Sequence, residues 1–140
     1  MSANAELVES NKAVAHRFLE EFKNQHNFLT IDELFSPQAV THLPIAGLPD
    51  GPEGQKVIGR SLFATFPDVH VTLDNVTAEG NFVAERHTAR ATHSGEFNGV
   101  AATGRKIYWT ENHLYRIEGG KIQELWSEWS LQKLMDQLKD

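Results

Sequence analysis

Four residues at alternate positions of one segment have side chains that could together perform acid–base chemistry. They are Trp109, Glu111, His113 and Tyr115, and residues two apart in a β-strand share one face of the sheet. A carboxylate beside an imidazole, flanked by two aromatic rings, is an unusual filling for a hydrophobic face. The same set suits a ligand pocket that contains a general acid or base. We therefore predict that Glu111 is the principal acid/base and that His113 is its orienting or proton-sharing partner.

The pKa of Glu111 is part of this prediction. The rise of a strand puts the Cα atoms of Glu111 and His113 about 7 Å apart. The flanking aromatic rings should limit access of water and raise the pKa of the carboxyl toward neutrality. A protonated His113 would act in the opposite direction, so we expect the two groups to titrate as a coupled pair.

Hydrophobic periodicity indicates the elements that must position these residues. Helical spacing predicts a first helix at about 4–24 and a second one that Pro67 stops. Alternating apolar and polar residues predict strands, at 39–45, 69–73 and 82–95 and then on both sides of Gly119-Gly120. A short helix from Leu131 follows. Because strands are concentrated in the second half and are joined by short hairpins, we expect an α+β fold with helices on one face of an antiparallel sheet.

Composition excludes several functional classes. The chain has 140 residues, which suits a single domain over residues 1–140. A net charge of −6 and the absence of a block of Lys and Arg argue against a nucleic-acid partner. With no cysteine, the chain has no disulfide and no thiolate chemistry. No run reaches the roughly 18 apolar residues of a membrane span and no secretory leader is visible, so we expect a cytoplasmic protein with no membrane partner.

Two segments carry a resemblance to a known family. The sequence Thr92-His93-Ser94-Gly95 with the glycines that follow it, and the segment 116–126 around Gly120-Lys121-Ile122, resemble the SnoaL-like polyketide and ester cyclases. The resemblance extends from about residue 10 to 138. It implies the cone-shaped fold shared with nuclear transport factor and ketosteroid isomerase relatives, in which a curved antiparallel sheet wraps around N-terminal helices and a central cavity. Proteins of this group are usually homodimers, and the same cone serves enzymes and noncatalytic binders.

The resemblance also implies roles for particular residues. Characterised cyclases of this group use an aspartate on the last strand as acid/base, and that position corresponds to Ser127. The neighbouring glutamine and histidine of the family correspond to Glu111 and His113. This chain therefore resembles the family in its histidine, but lacks the aspartate and has a carboxylate where the family has an amide.

The hairpin at Gly119-Gly120 decides what lies opposite Glu111. A two-residue turn puts Glu128 opposite Glu111, whereas a three-residue turn with a glycine bulge puts Ser127 there. The resemblance favours the second arrangement. The sequence alone leaves both open.

Other residues are candidates for the same pocket. His42 lies on the short strand before a loop that the resemblance places near the cavity mouth, which makes it a further candidate catalytic residue. The candidates for substrate binding are Trp109, Tyr115, Ser127, Trp129, His93 and Trp126. Histidines on adjoining strands suggest a metal, but no helical metal-binding motif is present and these histidines could lie on different faces. We expect neither a metal nor another cofactor.

Two classes of function follow. The first is a cofactor-independent enzyme that moves a proton beside the carbonyl of a small hydrophobic substrate, as in aldol cyclisation, isomerisation or dehydration. The alternative is a noncatalytic module that binds a small ligand, or a hydrolase that opens epoxides or lactones. The sequence does not specify the substrate or its stereochemistry. The opposite strand face, from Tyr108 to Arg116, mixes aromatic, apolar and charged side chains, and we expect it to form a two-fold homodimer interface.

Overall fold

The N-terminal helix changes its geometry part way along. A computed structural model describes residues 2–139, and in it helix α1 spans Ala3–Arg17 and continues as a π-helical segment over Phe18–Asn24. Ser2 caps the N-terminus by accepting a hydrogen bond from the backbone N–H of Ala5 at 3.1 Å. The predicted helix is confirmed, but its last part has the wider turn in which the N–H of one residue bonds the carbonyl five residues before it.

Three further helices complete the α layer: α2 spans Leu29–Leu34, α3 spans Pro52–Thr65 and α4 spans Leu131–Gln137. Helix α3 begins with Pro52 in its first turn, where the missing N–H is not needed. It lies so close to the π-helical segment that a Cβ atom added to Gly59 would be 2.4 Å from the ring of Phe22. Only glycine allows this approach.

Five strands form one sheet: β1 spans Phe35–His42, β2 His70–Glu79, β3 Phe82–Thr92, β4 Lys106–Glu118 and β5 Lys121–Trp129. Their order across the sheet is β1-β5-β4-β3-β2. The last four strands are antiparallel sequential neighbours, as predicted, although the connection between β3 and β4 is a longer loop over residues 93–105. Strand β1 differs from the prediction, because it pairs with β5 in parallel. The sheet is not closed into a complete barrel, since β1 and β2 lie at its two edges.

The register of the last hairpin corrects both predicted arrangements. A two-residue turn pairs Glu118 with Lys121, but the register then shifts beside Arg116. This bulge brings Ser127 opposite His113 and leaves Trp129 opposite Glu111. Neither Glu128 nor Ser127 therefore faces Glu111 directly.

The hydrophobic core lies between the helices and one face of the sheet. Phe18 is fully buried and contacts Phe35 and Tyr115 edge-on, with ring centroids 5.3 and 6.1 Å apart. Burial of each such side chain contributes about 1.5–3 kcal/mol to folding. Among residues 2–139 no helix is both long and apolar enough to cross a membrane.

Candidate active site

A cavity of about 360 Å³ lies between the inner face of the sheet and helix α3. Its sheet side is the more polar one and contains Trp109, Glu111, His113, Ser127 and Trp129. The alternation predicted for β4 thus places the carboxylate and the imidazole in a pocket together.

The opposite wall of the cavity is mainly apolar. Ile58, Leu62 and Phe66 contribute from α3 and its C-terminal end, and the loop at 43–45 adds Leu43, Pro44 and Ile45. Gln55 also lines this wall and donates a hydrogen bond from Nε2 to Oγ1 of Thr41 at 2.9 Å. A cavity of this size and polarity suits a small hydrophobic molecule that carries one or two polar groups.

Five side chains at the sheet side form a closed ring of polar contacts: Glu85, His87, Glu111, His113 and Tyr115. His87 contacts Glu85 through Nδ1 at 2.8 Å, and Tyr115 donates its hydroxyl to Glu85 at 3.3 Å. Nε2 of His113 is 3.2 Å from Glu111, and Nδ1 of the same ring is 3.0 Å from the Tyr115 hydroxyl. Nε2 of His87 lies 3.5 Å from Oε2 of Glu111 and closes the ring by charge attraction alone, since this nitrogen makes no hydrogen bond within the described residues.

The pairing of β3 with β4 brings this ring together. Glu85 lies opposite His113, and His87 lies opposite Glu111. All four side chains point to the inner face, because residues directly opposite one another in a sheet share a face. The sequence analysis did not predict the roles of Glu85 and His87, although their spacing of two residues is the same signal that identified Glu111 and His113.

His87 lies between two carboxylates and is fully buried. Nδ1 faces Glu85 and Nε2 faces Glu111, so the imidazolium, which carries a proton on each nitrogen, suits both contacts. Burial alone lowers the pKa of His87, but the hydrogen bonds and the attraction of the two carboxylates outweigh it and raise the pKa to about 9.

The pKa of Glu111 is shifted in the direction opposite to the one predicted. Burial raises the pKa of its carboxyl, but the hydrogen bond to His113 and the attraction of the His113 and His87 rings together hold it well below the usual range. Trp109 adds a further donor, with Nε1 at 2.9 Å from Oε2. The prediction of a raised pKa was therefore wrong, because the sequence did not reveal how many donors surround this carboxylate.

Tyr115 remains a proton donor in this ring. Burial and the nearby charge of Glu85 raise the pKa of its hydroxyl well above the usual value. The phenol side chain of Tyr115 is fully buried behind the cavity wall. Tyr115 therefore contacts the other members of the polar ring but does not line the cavity.

Ser127 and Trp129 are the other predicted residues that line the cavity. Within the part of the chain that the structure describes, the Ser127 hydroxyl makes no hydrogen bond, so it is free to bind a ligand in the cavity. His93 lies outside the cavity lining. It is fully buried, and its Nδ1 is 2.9 Å from Oγ1 of Thr103.

His42 and Trp126 lie on the outer face of the sheet, which corrects the placement of both near the cavity. The parallel pairing of β1 with β5 sets His42 beside Trp126, and their rings stack with centroids 5.1 Å apart. Nε2 of His42 is 2.6 Å from the carboxylate of Glu124. Strand alternation explains the position, because Leu125 and Ser127 on either side of Trp126 point inward.

Lys23 is a cavity residue that the sequence analysis missed. It lies in the π-helical segment, is only 6% exposed and lines the cavity together with Glu111 and His113. Burial lowers the pKa of its amine, and the attraction of Glu111 and Glu85 opposes this only in part.

Three members of the polar ring also have the arrangement of a metal site. Glu85, His87 and His113 each offer one ligand atom, and these atoms lie within 4.8 Å of one another. Both nitrogens of His113 and Nδ1 of His87 are engaged in contacts within the ring. A cation at this point would have to displace those contacts.

The chain is similar to a known protein family and to several solved structures. The sequence profile described as SnoaL-like polyketide cyclase matches residues 13–138. The crystal structure of IdmH from Streptomyces antibioticus, a candidate polyketide cyclase, is 34% identical, with a TM-score of 0.81 over 91% of this chain and 97% of IdmH.

Two further solved structures are similar over most of their length. AclR from Streptomyces galilaeus, a candidate hydroxylase, is 25% identical with a TM-score of 0.82, covering 94% of this chain and 96% of AclR. TsrD from Streptomyces laurentii is 26% identical with a TM-score of 0.83, covering 93% of this chain and 95% of TsrD. The comparison with curated protein sequences gave no significant match. These neighbours confirm the cone-shaped α+β fold that the sequence resemblance predicted.

Proposed function

Because this chain belongs to the SnoaL-like polyketide cyclase family, we propose that it is a cofactor-independent enzyme that transfers a proton at a carbon beside a carbonyl group. Its substrate is a small hydrophobic carbonyl compound, and the reaction is a cyclisation, isomerisation or dehydration. Glu111 accepts the proton and His113 is its partner.

One observation carries this proposal: the Glu111–His113 pair faces the cavity opposite a mainly apolar wall. The carboxylate and the imidazole are 3.2 Å apart, and both line the cavity. The low pKa of Glu111 keeps it ionised at neutral pH, which is the form that accepts a proton, although it also makes this carboxylate a weaker base than one whose pKa lies near the working pH. Exclusion of water by a bound apolar ligand would strengthen the electrostatic interactions at the pair.

The chemistry requires a group that stabilises the enolate as well as a base. Glu111 takes the proton from the carbon, and the electron pair of that C–H bond moves onto the carbonyl oxygen. Ser127 lies opposite His113 on the neighbouring strand and has a free hydroxyl, so it is the candidate donor to this oxygen. The enolate can then attack a second carbonyl, be reprotonated elsewhere, or expel a leaving group.

Exchange of deuterium into a ligand tests this function without knowledge of the natural substrate. Small aryl ketones such as 1-indanone and 2-tetralone are incubated with the protein in D₂O, and the loss of the proton signals beside the carbonyl is followed by NMR. We expect exchange faster than in buffer, because removal of that proton is the first step of each proposed reaction. Ligands that bind without any accelerated exchange would instead support the noncatalytic binding module.

The outer face of the sheet is the proposed homodimer interface. Tyr108 and Leu114 on β4 are each about 40% exposed there, beside Arg116. Aromatic, apolar and arginine side chains together are enriched at interfaces. Light scattering should report a dimer at micromolar concentration, and Leu114→Glu should shift it to the monomer. A wild-type mass equal to that of the single chain, 15.7 kDa, would contradict this interface.

A further inference from the structure

We propose that Lys23 is a covalent attachment site for aldehydes and ketones, with its amine forming an imine with the carbonyl carbon of a ligand in the cavity. The proposal rests on the proposed function in one respect, since both require a carbonyl compound in this cavity. It assigns a second chemical role there, that of a nucleophile, to a residue on the helical wall.

The position of Lys23 is unusual for a lysine. Its Nζ lies over the rings of Phe18 and Phe22, at 5.3 and 5.5 Å from their centroids. Within residues 2–139 it has no hydrogen bond and no ion pair, in contrast to Lys56, which binds Asp32 at 2.9 Å. Lysines are almost never buried in this way without a charged partner. A buried amine that faces a cavity is therefore a candidate for chemistry.

The π-helical geometry is what brings Lys23 to the cavity. In a regular α-helix a residue five positions after Phe18 is rotated by roughly 140° from it, toward a different face. In a π-helix residues five apart lie above one another, so Lys23 shares the buried face of Phe18. Segments of this kind frequently occur at functional sites.

The surroundings favour the neutral, nucleophilic form of the amine. Burial lowers its pKa, whereas the carboxylates of Glu111 and Glu85 raise it to a smaller extent. The faces of the two phenyl rings also attract the ammonium, which opposes the effect of burial. Desolvation in an apolar pocket is a known means of activating a lysine that attacks carbonyl groups.

The covalent step can be written with its atoms balanced. The lone pair of Nζ bonds to the carbonyl carbon, and the C=O π electrons move to the oxygen, which takes one proton. The resulting carbinolamine loses this oxygen as water, both protons of that water coming from the amine, and the C=N bond forms. Glu111 and His113 line the same cavity and can carry these protons. Protonation of the imine makes the neighbouring C–H bond more acidic, which is the bond that the proposed base cleaves.

Reductive trapping tests the attachment site directly on the wild-type protein. The protein is incubated at pH 7 with 3-phenylpropanal, benzaldehyde or phenylacetone and with sodium cyanoborohydride, and the adducts are mapped by peptide mass spectrometry. An imine reduced on lysine adds the mass of the probe less its oxygen atom. We expect Lys23 to be labelled at least about tenfold faster than any other lysine, because its lowered pKa leaves more of this amine in the neutral, nucleophilic form at pH 7. Labelling that is confined to other amines with all three probes would overturn the proposal.

Three variants test whether the label is specific to Lys23. Together with the exchange assay they also show whether the attachment site or the proposed enzyme activity has failed. Lys23→Met should abolish the adduct, and Lys23→Arg, which keeps the charge but is not nucleophilic, should do the same. Lys139→Arg at the exposed surface should leave the labelling of Lys23 unchanged. An adduct on Lys23 without deuterium exchange would support the attachment site and contradict the proposed enzyme. Exchange that depends on Glu111, with no adduct on Lys23 from any of the three probes, would do the reverse.

Discussion

Glu111→Gln should lower the rate of deuterium exchange into a bound ketone by about 10²–10⁴-fold, the range expected for loss of a positioned general base. The amide is nearly the same size as the carboxylate but cannot accept the proton. In the wild type, the low pKa of Glu111 should keep the base ionised through the mildly acidic range. The exchange rate should therefore fall only below the ordinary carboxyl pKa of about 4.3. The measurement is the NMR exchange assay, with rates normalised to the folded fraction from circular dichroism.

Glu85→Gln is the matched control for this experiment. It makes the same chemical change in the same polar ring, but Glu85 does not line the cavity. We expect it to keep the exchange rate within about tenfold of the wild type. Ser127→Ala should have an intermediate effect, because it removes a donor and not the base. If Glu111→Gln exchanged deuterium at the wild-type rate, Glu111 would not be the base and His113 would take that role. His42, the other candidate from the sequence, lies on the opposite face of the sheet and cannot reach the cavity.

Glu85→Gln should have its largest effect on stability, lowering the free energy of unfolding by about 3 kcal/mol at pH 6. It leaves the buried His87 imidazolium with a single carboxylate, and removal of one partner from a buried ion pair is strongly destabilising. Urea denaturation followed by tryptophan fluorescence gives this free energy. Glu79→Gln, at an exposed position at the end of β2, should change it by less than about 0.5 kcal/mol.

The pH dependence of this loss has a definite sign. The pKa of His87 is about 9 in the folded protein and about 6.5 in an unfolded chain, so its stabilisation is complete below 6.5 and disappears as the pH rises through 9. Glu111, with its lowered pKa, contributes stability above about 4.3 that is lost as the pH falls. The difference between wild type and Glu85→Gln should therefore be greatest at about pH 5–6.5 and shrink toward pH 9. A difference that grows above pH 8 would contradict a charged His87.

Strand alternation was sufficient to predict part of the site. Spacing of two residues on β4 placed Glu111 and His113 on one face, and the structure puts both in the cavity. The same rule could not give the residues opposite them, because the bulge beside Arg116 changes the register of β5 without a glycine or proline to mark it. Glu85 and His87 follow the same alternation, but their importance depends on cross-strand pairing that one sequence does not reveal.

Two other residues show where local patterns mislead. His42 precedes the loop that contributes to the cavity, but the parallel pairing of β1 with β5 turns its ring to the outer face. The sequence analysis missed Lys23, because lysines are mostly exposed and regular α-helical spacing does not align this one with Phe18. Only the π-helical turn, which no sequence pattern predicted, brings it over Phe18.

The cavity has polar, reactive side chains on the sheet and a mainly apolar wall opposite them, so the residues that react are largely separate from those that select the ligand. Ile58 and Leu62 on α3 shape the space that a ligand fills, and neither belongs to the polar ring on β3 and β4. Exchanging them for larger or smaller apolar side chains would alter which carbon skeleton fits and leave the proton donors and acceptors in place. In directed evolution, a library confined to α3 would therefore explore new substrates on a retained reaction. A library on β4 would explore new reactions and would usually lose the existing one.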